Sequence, residues 1–386
     1  MTLPSSPIPP FELERYFARH EFVTEYLLCS SDVEGMSLRE VLALADDEMR
    51  ERWDALTLGY TESPGHPLLR RAVAALYETL QPNDVIVTNS GEEPIYIAMR
   101  LLLRAGDHAI VTWPGYQSHY EIARSIGAEV TLLPLRPQTE QGQARWMIDL
   151  DDLRAAVRPN TRMLLTSFPH NPTGALPTHD EWRAIAAIVD AAGLRWVSDE
   201  VYRGLEFLPD ARLATAADLN ARALSIGAMS KTYAMAGARI GWAATRDAQL
   251  REQILTYKDY TTICSSAPSE ILSTIALRAS DAVIARSRAI IDANLVHAAQ
   301  FFAAHHERFD YIPPAAGSVA FPRLRRDNAD KFAAALLREQ NTLLLPASAF
   351  GYAQPHFRMG FGRPNFPQAL QRLATFIAAE SSAAAK

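Results

Sequence analysis

A chain of 386 residues, 48% of them apolar and 21% charged, has the length and balance of an ordinary globular protein of about two domains, which excludes a disordered or fibrous one. The net charge of −6 and the lack of any Lys/Arg run give no basis for a nucleic-acid partner, and no apolar run is long enough for a membrane span. The two cysteines, Cys29 and Cys264, lack metal-ligand spacing and read as apolar residues of a reducing compartment; with no basic or apolar leader at Met1-Thr2-Leu3-Pro4, a cytoplasmic protein without a metal is expected.

Taken in order, the chain opens on Pro4, Pro7, Pro9 and Pro10 and an amphipathic stretch over Phe11–His20, an arm or short helix. Thr24–Cys29 reads as a strand, followed by the polar turn Ser30-Ser31-Asp32-Val33-Glu34-Gly35. Ser37 and Glu40 predict a capping box for a helix over Ser37–Ala45. After the loop Tyr60–Pro67, a helix is predicted over Leu68–Tyr77. Strands at Asp84–Thr88, His108–Trp113, Glu129–Leu135, Arg162–Ser167, Leu194–Ser198 and Ala223–Gly227 then alternate with helices at Glu92–Leu103, Tyr116–Ile126, Asp149–Val157 and Glu181–Ala192. Short apolar strands between amphipathic helices predict an α/β fold, a mostly parallel sheet covered on both faces, with ligands bound beyond the strands' carboxyl ends. After Ala244 come a helix at Ala248–Tyr257 and one or two long helices over Ser269–His305. A smaller α+β unit ends the chain, with strands at Ser318–Pro322, Thr342–Leu345 and His356–Phe361 and helices at Asn328–Glu339 and Gln368–Ala379. The expected division is an N-terminal arm joining the small domain (1–48), a large domain (49–284) and a small domain (285–386).

The chemistry gathers at the strand ends. Thr88-Asn89-Ser90-Gly91-Glu92-Glu93 leads from a strand into a helix, where free N–H groups and the helix dipole form an anion site. Trp113-Pro114-Gly115-Tyr116 sets an aromatic ring where it could stack on a flat heterocycle. Asn171-Pro172-Thr173-Gly174 holds an amide in a turn. Asp199, in Ser198-Asp199-Glu200-Val201-Tyr202, ends an apolar strand, so its carboxylate needs a cationic or N–H partner, and Tyr202 projects a phenol into the same space. In Ser230-Lys231…Arg239-Ile240-Gly241, a lysine among small apolar residues is costly to desolvate as an ammonium. A neutral amine there suits Schiff-base chemistry, and the glycine-framed arginine suits a phosphate.

These motifs, in this order and spacing, resemble the pyridoxal-phosphate enzymes of fold type I, and within them the class I/II aminotransferases, from about Tyr60 to Arg358. The resemblance implies an aspartate-aminotransferase-like fold, pyridoxal 5′-phosphate as cofactor, and a homodimer with shared sites acting on an amino acid and a 2-oxo acid. It implies that Lys231 holds the cofactor as an aldimine and moves the substrate proton, that Asp199 pairs with the pyridine nitrogen, and that Asn171 and Tyr202 face the phenolic oxygen. Tyr116 would stack on the ring; Ser90, the Gly91 and Glu92 backbone, Ser230 and Arg239 would hold the phosphate. Tyr60 would reach the neighbouring subunit's phosphate, and Arg358 would clamp the substrate carboxylate.

The chain departs from the family pattern in three places. Ala228 stands where a hydroxyl residue is usual. Glu92 puts an acid beside a dianion and is expected to turn away. The segment Ser30–Gly35 replaces a Gly-x-Pro type turn, so Asp32 and Glu34 could receive a positively charged substrate side chain. Some likeness to the capreomycidine synthase subgroup, which acts on an arginine derivative, lies in Phe168-Pro169-His170-Asn171-Pro172 and the spacing of the arm. Transamination is the expected activity. A lyase or cyclase acting on an amino acid, a basic, arginine-like one included, uses the same residues, while a non-enzymatic binding module fits poorly with an intact Lys231.

Overall fold

The computed structural model describes residues 8–140 and 142–384. The chain begins with α1 (Glu12–His20), β1 (Tyr26–Leu27), α2 (Leu38–Ala43), α3 (Asp47–Asp54) and α4 (Pro67–Ala74). Strands and helices then alternate through β2 (Val85–Thr88), α5 (Glu92–Leu102), β3 (His108–Trp113), α6 (Ser118–Ser125), β4 (Glu129–Glu140), β5 (Gln143–Ile148), α7 (Leu150–Ala156), β6 (Thr161–Ser167), α8 (His179–Ala191), β7 (Arg195–Asp199), α9 (Ala216–Leu219), β8 (Leu224–Ala228) and β9 (Gly241–Ala244). After α10 (Ala248–Lys258), α11 (Ala267–Arg278) and α12 (Ser280–Ala304) come β10 (Phe309–Asp310), β11 (Val319–Ala320), β12 (Arg323–Leu324), α13 (Ala329–Gln340), β13 (Thr342–Leu343), β14 (Leu345–Pro346), β15 (Phe357–Gly360) and α14 (Phe366–Ala384).

The large sheet has eight strands in the order β2-β9-β8-β7-β6-β3-β4-β5. Its centre, β8-β7-β6-β3-β4, is parallel, which aligns the carboxyl ends of those strands on one edge. Every residue of β2, β8 and β9 is buried, as expected of strands covered on both faces. Besides the short α9, β10 and β12, three elements that shape the fold escaped the sequence reading. β9 is the tail of the Lys…Arg motif and runs antiparallel between β2 and β8. β5 forms a hairpin with β4 from Leu135↔Ile148 to Glu140↔Gln143, so β4 is longer than predicted. α3, charged along most of its length, offers little apolar periodicity and is started instead by the Asp46 side chain accepting from Met49 N–H at 2.8 Å. The predicted capping box of α2 is present in both directions.

Distant parts of the sequence are stitched together beside this edge. β1 pairs in parallel with β13, Tyr26 opposite Thr342 and Leu27 opposite Leu343. β15 lies between β11 and β14. The segment after β1 then crosses the face of β15 so closely that a Cβ on Gly360 would stand 1.8 Å from Ser30 O. Only glycine permits that approach.

Candidate active site

One cavity of about 460 Å³ opens at the carboxyl edge of the parallel strands. Its wall contains Ser90, Gly91, Glu92, Tyr116, Asn171, Asp199, Tyr202, Ser230, Lys231, Arg239, Arg358 and Asp32, all of them expected from the sequence. Tyr60 is the exception: it is 89% exposed and outside that wall.

The anion end of the cavity is built by β2 handing over to α5. Ser90 adopts a left-handed backbone (φ 70°), which turns the chain so that the first N–H groups of α5 face the cavity, and Ser90 Oγ accepts from Glu92 N–H at 3.3 Å. β9 presses against this turn from behind: a Cβ on Gly241 would lie 2.4 Å from the Ser90 carbonyl carbon and 2.7 Å from Gly91 N. Arg239, also left-handed (φ 53°), is exposed to the cavity, and the one hydrogen bond of its side chain among the described residues goes to Ala236 O at 3.0 Å. Ala228, the first departure from the family pattern, packs beneath Gly91, while Ser230 reaches the wall. Glu92 is among the lining residues; its carboxyl accepts from Ser118 Oγ on α6 at 3.3 Å and is pushed up to about 7 by burial.

The floor is Asp199, the last residue of β7 and 6% exposed. Oδ2 lies 3.1 Å from His119 Nε2, and Oδ1 accepts from Val201 N–H at 3.2 Å. His119 was missed by sequence reasoning, although its place three residues after Tyr116, within the helix predicted over Tyr116–Ile126, was a readable signal. Its Nδ1 has no partner among the described residues. Glu200 points the other way, into the protein, where it accepts from Ala216 N–H and Ser225 Oγ at 2.9 Å each. Tyr116 forms a side wall, its ring 4.8 Å from that of Phe11 and its hydroxyl donating to Glu14 Oε1 at 2.9 Å.

Lys231 Nζ donates to Ser31 Oγ at 2.9 Å, and Tyr202 OH donates to Ser31 O at 3.1 Å. Ser318 Oγ donates to the same carbonyl at 2.6 Å, so the segment replacing the family's turn holds both site donors. Arg358 is 1% exposed; its Nε donates to Cys29 O at 3.0 Å and its Nη1 to Asn171 Oδ1 at 3.1 Å. That contact leaves the Asn171 NH₂ as a donor.

Asp32 does line the cavity, but it is held by Arg363 at 3.1 Å through both carboxylate oxygens. Glu34 lies outside the wall, 3.7 Å from the same guanidinium. Arg363, which the sequence reading did not single out, therefore neutralises the pair proposed to meet a cationic substrate.

These residues fit pyridoxal phosphate. A guanidinium and a helix N-terminus converge at one end, a buried carboxylate held by His119 and Val201 N–H lies on the floor, an aromatic ring flanks the space, and a primary amine stands beside it.

Comparisons with known proteins agree with this set. The model of the family "aminotransferase class I and II" matches residues 25–375. Capreomycidine synthase of Streptomyces vinaceus is 31% identical over 366 residues, 94% of this chain and 90% of that protein. A PLP-dependent aminotransferase from Streptococcus suis superposes with a TM-score of 0.89 at 28% identity, covering 96% of this chain and 98% of the other. The PLP-dependent cyclase OrfR superposes at 0.87 with 29% identity, covering 98% and 100%. The architecture is that of the fold type I enzymes.

Proposed function

Because the chain belongs to the class I and II aminotransferase family and its cofactor is pyridoxal 5′-phosphate, we propose that it moves an amino group between an L-amino acid and a 2-oxo acid, with Lys231 as the catalytic base. The observation that carries this reading is the meeting of Lys231, the buried Asp199 and the buried Arg358 around one cavity. The cofactor, when bound, supplies an electron-poor ring that takes up the electron pair left when the Cα–H bond of the amino acid breaks.

Each residue has a physical task. Arg239, Ser90 and the first N–H groups of α5 would hold the phosphate. Asp199, fixed by His119 and Val201 N–H, would keep a proton on the ring nitrogen. The Asn171 NH₂ would face the phenolic oxygen, joined by Tyr202 once its hydroxyl turns from Ser31 O, and Tyr116 would lie against the ring. Arg358 binds the substrate carboxylate and so turns the Cα–H bond toward Lys231 Nζ, which accepts that proton and returns it. Lys231 must leave Ser31 Oγ to do so, and Ser31 then remains anchored through its carbonyl by Ser318. The cofactor residues fall in 49–284, with 1–48 and 285–386 as the smaller domain. A homodimer is supported by the apolar side chains Leu58, Tyr60, Tyr260 and Ile263, which are left exposed beside two touching loops. Cytoplasmic placement rests on the two unpaired cysteines.

A second reading is favoured by the likeness to capreomycidine synthase and to a PLP-dependent cyclase: the same proton removal leads to elimination or ring closure. The two readings separate in one experiment. Mixing the yellow protein with one equivalent of amino acid yields the amine form of the cofactor and one equivalent of oxo acid in a transfer enzyme. Continued turnover without that accumulation marks a lyase or cyclase. Borohydride treatment of the yellow protein, followed by peptide mass analysis, must place the added mass on Lys231.

A further inference from the structure

The cavity wall holds five carboxylates: Glu14, Glu21, Asp32, Glu92 and Asp199. Four are engaged. Glu14 accepts from Tyr116, Asp32 from Arg363, Glu92 from Ser118, and Asp199 from Val201 N–H with His119 beside it. Glu21 alone has no hydrogen-bond or ion-pair partner for its side chain among the described residues, although it is only partly exposed.

Its placement is set by α1. Leu13, Glu14, Phe17 and Glu21 recur at helical spacing and form the stripe that this helix turns toward the cavity. Phe17 lies against the Arg358 guanidinium, 5.7 Å from ring centre to Cζ, and Glu21 follows one turn later. One helical turn is about 5.4 Å, so the carboxylate is within an amino-acid side chain's reach of the clamp for the α-carboxylate. Burial and the neighbouring Asp32 push the Glu21 carboxyl up against the smaller opposing pull of Arg363 and Lys231, so its charged form lacks full compensation. A substrate cation would supply it.

On the amino-acid reading of this cavity, we propose that Glu21 determines specificity by receiving the cationic end of a basic L-amino acid whose α-carboxylate is held by Arg358. Asp32, clamped by Arg363, borders the same space but is not the primary partner.

The test uses the holoenzyme and visible absorbance. L-arginine is titrated against L-citrulline, its uncharged isostere, and L-lysine against L-norleucine, in the unchanged protein and in Glu21→Gln and Glu21→Asp. Arginine should bind about tenfold or more tightly than citrulline, as one unscreened charge pair implies. Glu21→Gln should bring the two within about twofold by weakening arginine alone, and Glu21→Asp should keep the preference, as expected of a charge rather than a packing effect. Equal binding of charged and neutral members of a pair overturns the proposal, as does an equal loss for both in Glu21→Gln. A protein that stays colourless sinks the cofactor reading and this inference together, whereas a yellow protein blind to side-chain charge sinks this inference alone.

Discussion

Lys231 Nζ rests 2.9 Å from Ser31 Oγ, so the amine that reacts is aimed before any ligand arrives. Replacing Lys231 with Ala removes both the proposed attachment point and the proposed base. The visible band that survives dialysis in the unchanged protein, and the covalent adduct that borohydride leaves there, should both disappear, and turnover should fall about a thousandfold or more. Arg358 makes a different prediction. Its guanidinium donates to Cys29 O and Asn171 Oδ1 and is buried, so its planar shape is used in full. Arg358→Lys cannot reproduce two directions at once and leaves Asn171 short of a donor. We expect KM for the amino acid to rise on the order of tenfold to a hundredfold with a smaller loss in kcat. A kcat loss larger than the KM rise would mean that Arg358 orients the cofactor residues rather than the substrate.

The elements around the site depend on close backbone approaches. β15 and the Ser30–Asp32 segment touch at Gly360, where an added methyl would lie 1.8 Å from Ser30 O with backbone on both sides. Gly360→Ala should therefore cost about 3 kcal/mol or more and lower Tm by several degrees, with KM rising because Ser31 moves; unchanged Tm would mean the segment yields freely. This contact also shows what sequence can and cannot carry. The parallel strands, the capping box of α2 and the residues Asp199, Lys231 and Asn171 were readable because apolar runs end on polar residues with one plausible use each. β9 was not, because its four residues Gly241–Ala244 follow the arginine motif without a turn signal of their own. Nor were Arg363 and Glu21. Their roles arise from pairing across the chain, Asp32 with Arg363 and α1 with β15, which no local period records.

At the scale of the whole molecule, two carboxyls are buried for reasons unrelated to catalysis. Glu200 sits behind β7, and Glu270 on α11 accepts from His66 N–H at 3.3 Å; burial pushes both from an ordinary 4.5 to about 7. Between those values the folded protein keeps a proton that the unfolded chain has released, so each group's contribution to stability declines as pH rises from about 4.5 to 7 and is level above that. The Tm of Glu270→Gln minus that of the unchanged protein should accordingly increase from pH 5 to 7 and stay constant from 7 to 8. A flat difference across the whole interval would contradict the assignment. The position of Arg358 has a consequence for biosynthesis. Its two partners, Cys29 and Asn171, lie 329 and 187 residues earlier in the chain. A nascent polypeptide can thus complete the eight-stranded sheet on the ribosome while its pocket still lacks the clamp, and it becomes competent for substrate only when the final stretch emerges and threads back beneath the arm.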